Sequence, residues 1–133
     1  MARLLLSLLL LLLLSISSSA LAKTVTYNFT ATWTTANPDD KFSRKVIGIN
    51  GKWPIPQIDV DKGDTLVVHL HNGLGDQDTS LHFHGLYQNG TTHMDGPAGV
   101  TQCPVSPGKS ITYEFKVWMY PRVRGSVCIL PLC

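Results

Sequence analysis

His82 and His84 flank a single phenylalanine in Leu81-His82-Phe83-His84-Gly85, within the run DTSLHFHGLYQNGTTHMDGP. Neutral imidazole is a ligand for copper, zinc, iron or nickel. On a strand, residues two apart project to one side, about 6–7 Å apart along the chain. His82 and His84 are therefore expected to face the same way. Leu81 and Phe83 face the other way, into a core that holds the strand rigid. Such a pair furnishes half of a metal site, or one ligand to each of two neighbouring ions. His69-Leu70-His71 repeats the spacing, but without the following glycine and long loop. It reads as a solvated strand face. His93 reads as an exposed loop residue, Asp95 as the start of an Asp-Gly-Pro turn, and Gly85 as a place of close backbone approach.

The elements that must position these residues read as strands. In VTYNFTATW, Val25, Tyr27, Phe29, Ala31 and Trp33 share one face, and this strict alternation argues for a half-buried strand. ANPDD breaks it. KVIGINGKWPIP adds a short apolar run, an Asn50-Gly51 turn, and prolines that forbid a central strand position. IDVDKGDTLVVHLHN reads as two strand pieces around Asp61-Lys62-Gly63-Asp64, the second with Leu66, Val68 and Leu70 on one face. After the loop from Leu86 to Gly108, Ile111, Tyr113, Phe115 and Val117 alternate with polar residues. No segment has a helical period. Short strands between frequent turns suggest an antiparallel sandwich or barrel. After Val117 the period stops, and WMYPRVRGSVCILPLC does not look like the next strand of the same sheet.

The chain has 133 residues, enough for one domain. Its opening, Arg3, a leucine run to Leu14, serines, then Ala20-Leu21-Ala22, has the order of a secretory signal peptide. The apolar part is shorter than the roughly 20 residues of a membrane span. Cleavage after Ala22 leaves 111 residues of the 133. A net charge of +2 without a basic block argues against nucleic acid. Cys103, Cys128 and Cys133 make an odd count, so at least one thiol is free or pairs outside the chain. Asn28-Phe29-Thr30 and Asn89-Gly90-Thr91 fit the N-glycosylation sequon.

LHFHGLYQNGTTHMDGPAGVTQCPVSPGKSITYEFKV resembles the first copper-ligand motif of the multicopper oxidases. INGKWPIPQIDVDKGDTLVVHLHNGL is similar to the segment that opens their first cupredoxin domain. The joint pattern, His-x-His-Gly, then Asp-Gly, then Thr-Gln-Cys-Pro, is highly specific, and the resemblance runs from about Val25 to Val117. Phe83 and Met94-Asp95-Gly96 look closer to the iron-oxidising ferroxidases of fungal iron uptake. Laccases commonly carry tryptophan at the position of Phe83 and Trp-Ala-Asp-Gly before the proline. The resemblance implies that His82 is a ligand of the type 2 copper and His84 a ligand of the type 3 pair. It implies that Asp95 is a carboxylate supplying protons as dioxygen is reduced. Cys103 matches a cysteine that in laccases pairs far toward the C-terminus and is not a copper ligand.

Residues 1–22 are thus expected to be a signal peptide and 23–117 an N-terminal plastocyanin-like (cupredoxin) domain. The fold implied is all-β, a cupredoxin-like Greek-key sandwich incomplete at its C-terminal end, with open strand edges. In the family, a strand like ITYEFKV soon reaches a second His-x-His. Residues 118–133 contain no histidine and read as a non-family tail, such as a frame change, retained intron or splice variant produces. The later histidine motifs, the type 1 copper cysteine and the acidic residues that accept ferrous iron are missing too. The function implied is that of the copper-binding N-terminal domain of a secreted multicopper oxidase. Its type would be a ferroxidase, coupling Fe2+ oxidation to the reduction of O2 to water, and the chain alone would be inactive. A laccase-type phenol oxidase fragment is one alternative. A non-catalytic secreted copper-binding protein, with His93 as a third ligand, is another. Copper ions, O2 and Fe2+ or phenols are the partners implied, with an iron permease for the full-length protein.

Overall fold

A computed structural model describes residues 21–118 and the backbone of two later strands, Arg122–Gly125 and Cys128–Pro131. The signal-peptide reading therefore lies outside the described residues except for Leu21 and Ala22, which are exposed. The strands in chain order are β1 (Thr24–Ala36), β2 (Arg44–Ile49), β3 (Ile58–Asp61), β4 (Thr65–Asn72), β5 (Thr79–His82), β6 (Ser110–Lys116), β7 (Arg122–Gly125) and β8 (Cys128–Pro131). One turn of 3-10 helix, Thr92–Met94, interrupts the long loop between β5 and β6.

The alternating patterns become one sheet, ordered β2-β1-β4-β6. Its inner face carries Phe29, Ala31, Leu66, Val68, Leu70, Tyr113 and Phe115, all buried. Ile58 and Val60 of β3 and Leu81 of β5, with Phe83 just beyond it, close the same apolar cluster from the opposite layer. This is the two-layer solution open to sheets with one apolar face.

One expectation needs correction. The sheet is mixed rather than antiparallel, because β1 and β4 run parallel in the register Thr24↔Thr65 to Ala31↔Asn72. Parallel neighbours need a long crossover, and the chain from residue 37 to 64 provides it by turning back through β2 and crossing to β3. Strand alternation reports which face is buried and is silent on a partner's direction. The stretch after Val117 is, as expected, not the next strand of that sheet, and it contributes two strands elsewhere. β7 pairs antiparallel with β3, and β8 with β5, so that segment belongs to the second layer. Its lack of period did not prevent pairing, because β-structure depends on the partner edge more than on intrinsic preference.

Local sequence explains the turns. Asn50 and Gly51 both have positive φ, 52° and 72°, and Ile49 and Lys52 exchange two backbone hydrogen bonds of 3.0 Å. That is the geometry Asn-Gly favours in a two-residue turn. The Asn50 side chain also accepts from Thr30 N–H at 2.8 Å and donates to the Asn28 carbonyl at 3.0 Å, extending the edge of β1. At the other end of the sheet, Asn72 is fully buried. Its amide donates to the Gln77 and Val105 carbonyls at 2.8 and 2.7 Å, and its oxygen accepts from Leu74 N–H at 3.0 Å. Partners on both ends of the amide make burial of this polar group tolerable and fasten the loops around β5.

Candidate metal centre

β5 has four residues and stops at His82, with Thr79, Ser80 and Leu81 buried. Phe83 and His84 lie beyond it, and a turn closed by Leu86 N–H donating to the Phe83 carbonyl at 3.1 Å carries Gly85. His84 is thus a turn residue rather than a strand residue. The segment is held from below. Leu81 N–H donates to the Tyr113 hydroxyl at 3.2 Å, and Phe83 N–H to the Asp95 carbonyl at 3.2 Å. The Phe83 ring, 1% exposed, meets Tyr113 edge-on at 5.2 Å and Phe115 at 4.9 Å. Edge-to-face packing suits the ring quadrupoles and adds to the area buried. Burial pushes the Tyr113 phenol up, against the opposing hydrogen bond from Leu81, so the hydroxyl stays neutral at ordinary pH.

The two imidazoles stand together, with ring centroids 5.6 Å apart and planes inclined at 52°. His82 is half-buried and His84 exposed. His82 Nδ1 lies 3.0 Å from the Asp95 carbonyl oxygen and 3.5 Å from Asp95 Oδ1. A carbonyl oxygen can only accept, so Nδ1 carries a proton, and in the neutral ring Nε2 keeps the lone pair. Fixing one ring nitrogen in this way orients the other toward a metal and raises its basicity. Two imidazoles on one side of a rigid segment, one with a defined free nitrogen, fit a copper ion.

Asp95 reaches His82 because its loop is pressed against β5. Asp95 N–H closes the 3-10 turn on the Thr92 carbonyl at 3.2 Å, and Gly96 follows with φ of 97°. A Cβ on Gly96 would sit 1.5 Å from the Leu81 carbonyl oxygen. The close approach assigned from sequence to Gly85 therefore belongs to Gly96. Gly85 has φ of 80° and nothing within 4 Å of a would-be Cβ, so it serves the turn alone.

His93 is exposed and does not join the pair. Among the described residues no three His, Cys, Asp or Glu side chains converge on a common point, which leaves the third-ligand reading of His93 without support. Cys103 is exposed with a free thiol. The Cys128 side chain and Cys133 lie outside the described residues. Sequence reasoning missed the supporting role of Tyr113. The available signal was a phenol at a core position of ITYEFKV, since a buried tyrosine hydroxyl usually finds a partner.

With this geometry in place, sequence comparison is decisive. The family model described as Multicopper oxidase matches residues 30–121. The chain belongs to the multicopper oxidase family. It is 64% identical over 94 residues to the iron transport multicopper oxidase fetC of Epichloe festucae, covering 71% of this chain and 15% of that protein. Among solved structures, Fet3p, described as a multicopper oxidase that functions in iron import, superposes with a TM-score of 0.67 at 49% identity. That match covers 71% of this chain and 18% of Fet3p. A laccase from Botrytis aclada gives a TM-score of 0.67 at 41% identity, covering 72% and 18% of the two chains. The chain thus matches a cupredoxin-like domain of iron-transport multicopper oxidases, with laccases as neighbours, and spans under a fifth of their length. The cofactor of the family is copper.

Proposed function

We propose that this chain is the copper-holding N-terminal domain of a secreted ferroxidase-type multicopper oxidase. His82 Nε2 would hold the type 2 copper and the His84 imidazole one copper of the type 3 pair. Bound copper, by changing between its +1 and +2 states, supplies the electron transfer that joins Fe2+ oxidation to reduction of O2 to water. This chain's residues do the positioning. Phe83 anchors the segment between the imidazoles, the Asp95 carbonyl fixes the His82 tautomer, and the Asp95 carboxylate is placed to orient water and relay protons. The observation that carries this reading is the hydrogen bond of 3.0 Å from His82 Nδ1 to the Asp95 carbonyl, which in the neutral ring leaves Nε2 as the free donor atom for a metal.

Iron is favoured over phenols as the substrate because Phe83 and Met94-Asp95-Gly96 follow the ferroxidase-like pattern, and because of the 64% identity to an iron-transport relative. An iron permease is the partner of the full-length protein in this reading. Export is supported by the leader over 1–22 and by the sequons at Asn28 and Asn89, whose asparagines are both exposed. Among the described residues no helix is long and apolar enough to cross a membrane.

Copper titration of the 133-residue chain against its His82→Ala variant tests the site. Losing the His82 imidazole, the ligand whose ring is fixed by the Asp95 carbonyl, is expected to weaken copper binding by about tenfold or more. Equal affinity in the two proteins would remove His82 from the site. The unaltered chain is also expected to oxidise neither Fe2+ nor phenols, because His82 and His84 alone cannot assemble both the oxygen-reducing cluster and a type 1 site. Turnover accompanied by the blue absorption of a type 1 copper would refute this.

A further inference from the structure

β4 sends Leu66, Val68 and Leu70 into the core and leaves His69 and His71 exposed on the outer face of the sheet. The apolar side chains explain why the strand folds. They do not explain two imidazoles at adjacent outward positions. β4 has neighbours on both sides, so its backbone is fixed. The register places Asn28 and Thr30 of β1 beside the two histidines on one flank, and Thr112 and Ser110 of β6 on the other. Both rings are held by that second flank. His69 Nδ1 lies 2.8 Å from Thr112 Oγ1, and His71 Nδ1 lies 3.0 Å from Ser110 Oγ. These six residues edge a shallow hollow of about 210 Å³.

We propose that His69 and His71 form a second metal site, for a borderline-soft divalent cation, separate from His82 and His84 and across the core from β5. Each hydroxyl can accept the Nδ1 proton, which leaves Nε2 of each ring with its lone pair on the solvent side. Side chains two apart on a strand start about 6–7 Å apart, and bonds of about 2.0–2.1 Å to a shared ion require each ring to lean inward by roughly 1–2 Å. Exposed rings above an open hollow have room for that movement. Water and the Thr30 hydroxyl on the other flank are available for the remaining coordination positions, the Ser110 and Thr112 hydroxyls being held at Nδ1. With nitrogen donors and no carboxylate, the site selects Cu2+ first and Ni2+ or Zn2+ more weakly, and it discriminates against Mg2+ and Ca2+.

The test uses the full chain and metal ions alone. Zn2+ titration followed by NMR is expected to shift the imidazole resonances of His69 and His71 together, in the His82→Ala/His84→Ala protein as well as in the unaltered one. In that background, His69→Gln or His71→Gln is expected to weaken Cu2+ binding by about tenfold or more, through loss of the paired ligand. Unchanged Cu2+ binding in the double variant His69→Gln/His71→Gln, made in the same background, would overturn the proposal. Should a glutamine variant fail to fold, protection of His69 and His71 from diethylpyrocarbonate by Zn2+ in the unaltered chain decides the matter. Protection supports the site and equal modification rejects it. Because the His82 and His84 variants read the first pair independently, either assignment can fail without the other.

Discussion

Gly96→Ala is expected to destabilise the chain by about 3 kcal/mol or more, whereas Gly85→Ala costs about 1–2 kcal/mol, although the two glycines have similar backbone conformations. Both have positive φ, 97° and 80°. That shared feature carries the smaller penalty, since an L side chain in the left-handed region crowds its own backbone. The difference comes from the neighbours. A methyl on Gly96 meets the Leu81 carbonyl oxygen at 1.5 Å and His82 Cα at 3.2 Å, whereas one on Gly85 meets nothing within 4 Å. Backbone cannot rotate away as a flexible side chain can, so the Asp95 loop must lift off β5. Lifting it breaks the bonds from Phe83 N–H and His82 Nδ1 to the Asp95 carbonyl. Urea unfolding of both variants measures the contrast. Loss of copper affinity at the His82 pair should accompany Gly96→Ala and be slight for Gly85→Ala. Equal destabilisation would mean that φ alone accounts for both glycines and that the loop is not docked as described.

The same pair of residues shows what the sequence discloses and what it conceals. Both glycines stand in turn-like contexts, and nothing along the chain says that one faces a carbonyl and the other open space. That information is a contact between residues 81 and 96, created by the fold. The faces of β1, β4 and β6 were legible because one side of each strand meets core and the other water, so Phe29, Leu66, Val68, Leu70, Tyr113 and Phe115 could be placed inside. The Asn50-Gly51 turn was legible because the positive φ at both positions suits those residue types. The parallel pairing of β1 with β4 was not, because alternation contains no term for direction. Nor were β7 and β8, whose pairing depends on the edges that β3 and β5 offer. At the site, the closeness of the His82 and His84 rings agrees with the expectation from spacing, but the strand stops at His82 and a turn carries His84. The Asp95 carbonyl that fixes the His82 tautomer is a backbone group, and backbone groups leave no mark in a list of residue types.

Phe83 joins the fold to the site more directly than any other residue between the two imidazoles and the core. Phe83→Ala is expected to destabilise the protein by about 3–5 kcal/mol, the usual loss for a large aromatic removed from a packed interior. Against the roughly 5–15 kcal/mol that holds a typical domain folded, that is a large share. The ring is 1% exposed and packs edge-to-face with Tyr113 and Phe115, so its removal leaves a cavity with two aromatic walls. Phe83→Leu should keep more of the stability because less volume is vacated. Phe83→Trp, the residue laccases commonly carry here, should cost about 1–3 kcal/mol by overfilling a pocket shaped for phenyl. Thermal or urea unfolding of the three variants therefore ought to rank alanine as the most damaging. Copper affinity at the His82 pair, measured where each variant is still folded, ought to fall furthest for alanine as well, since Phe83 anchors the backbone on which both imidazoles stand. A Phe83→Ala protein that unfolds like the unaltered chain would show that the closeness of the two rings is set elsewhere, by the Asp95 contact alone.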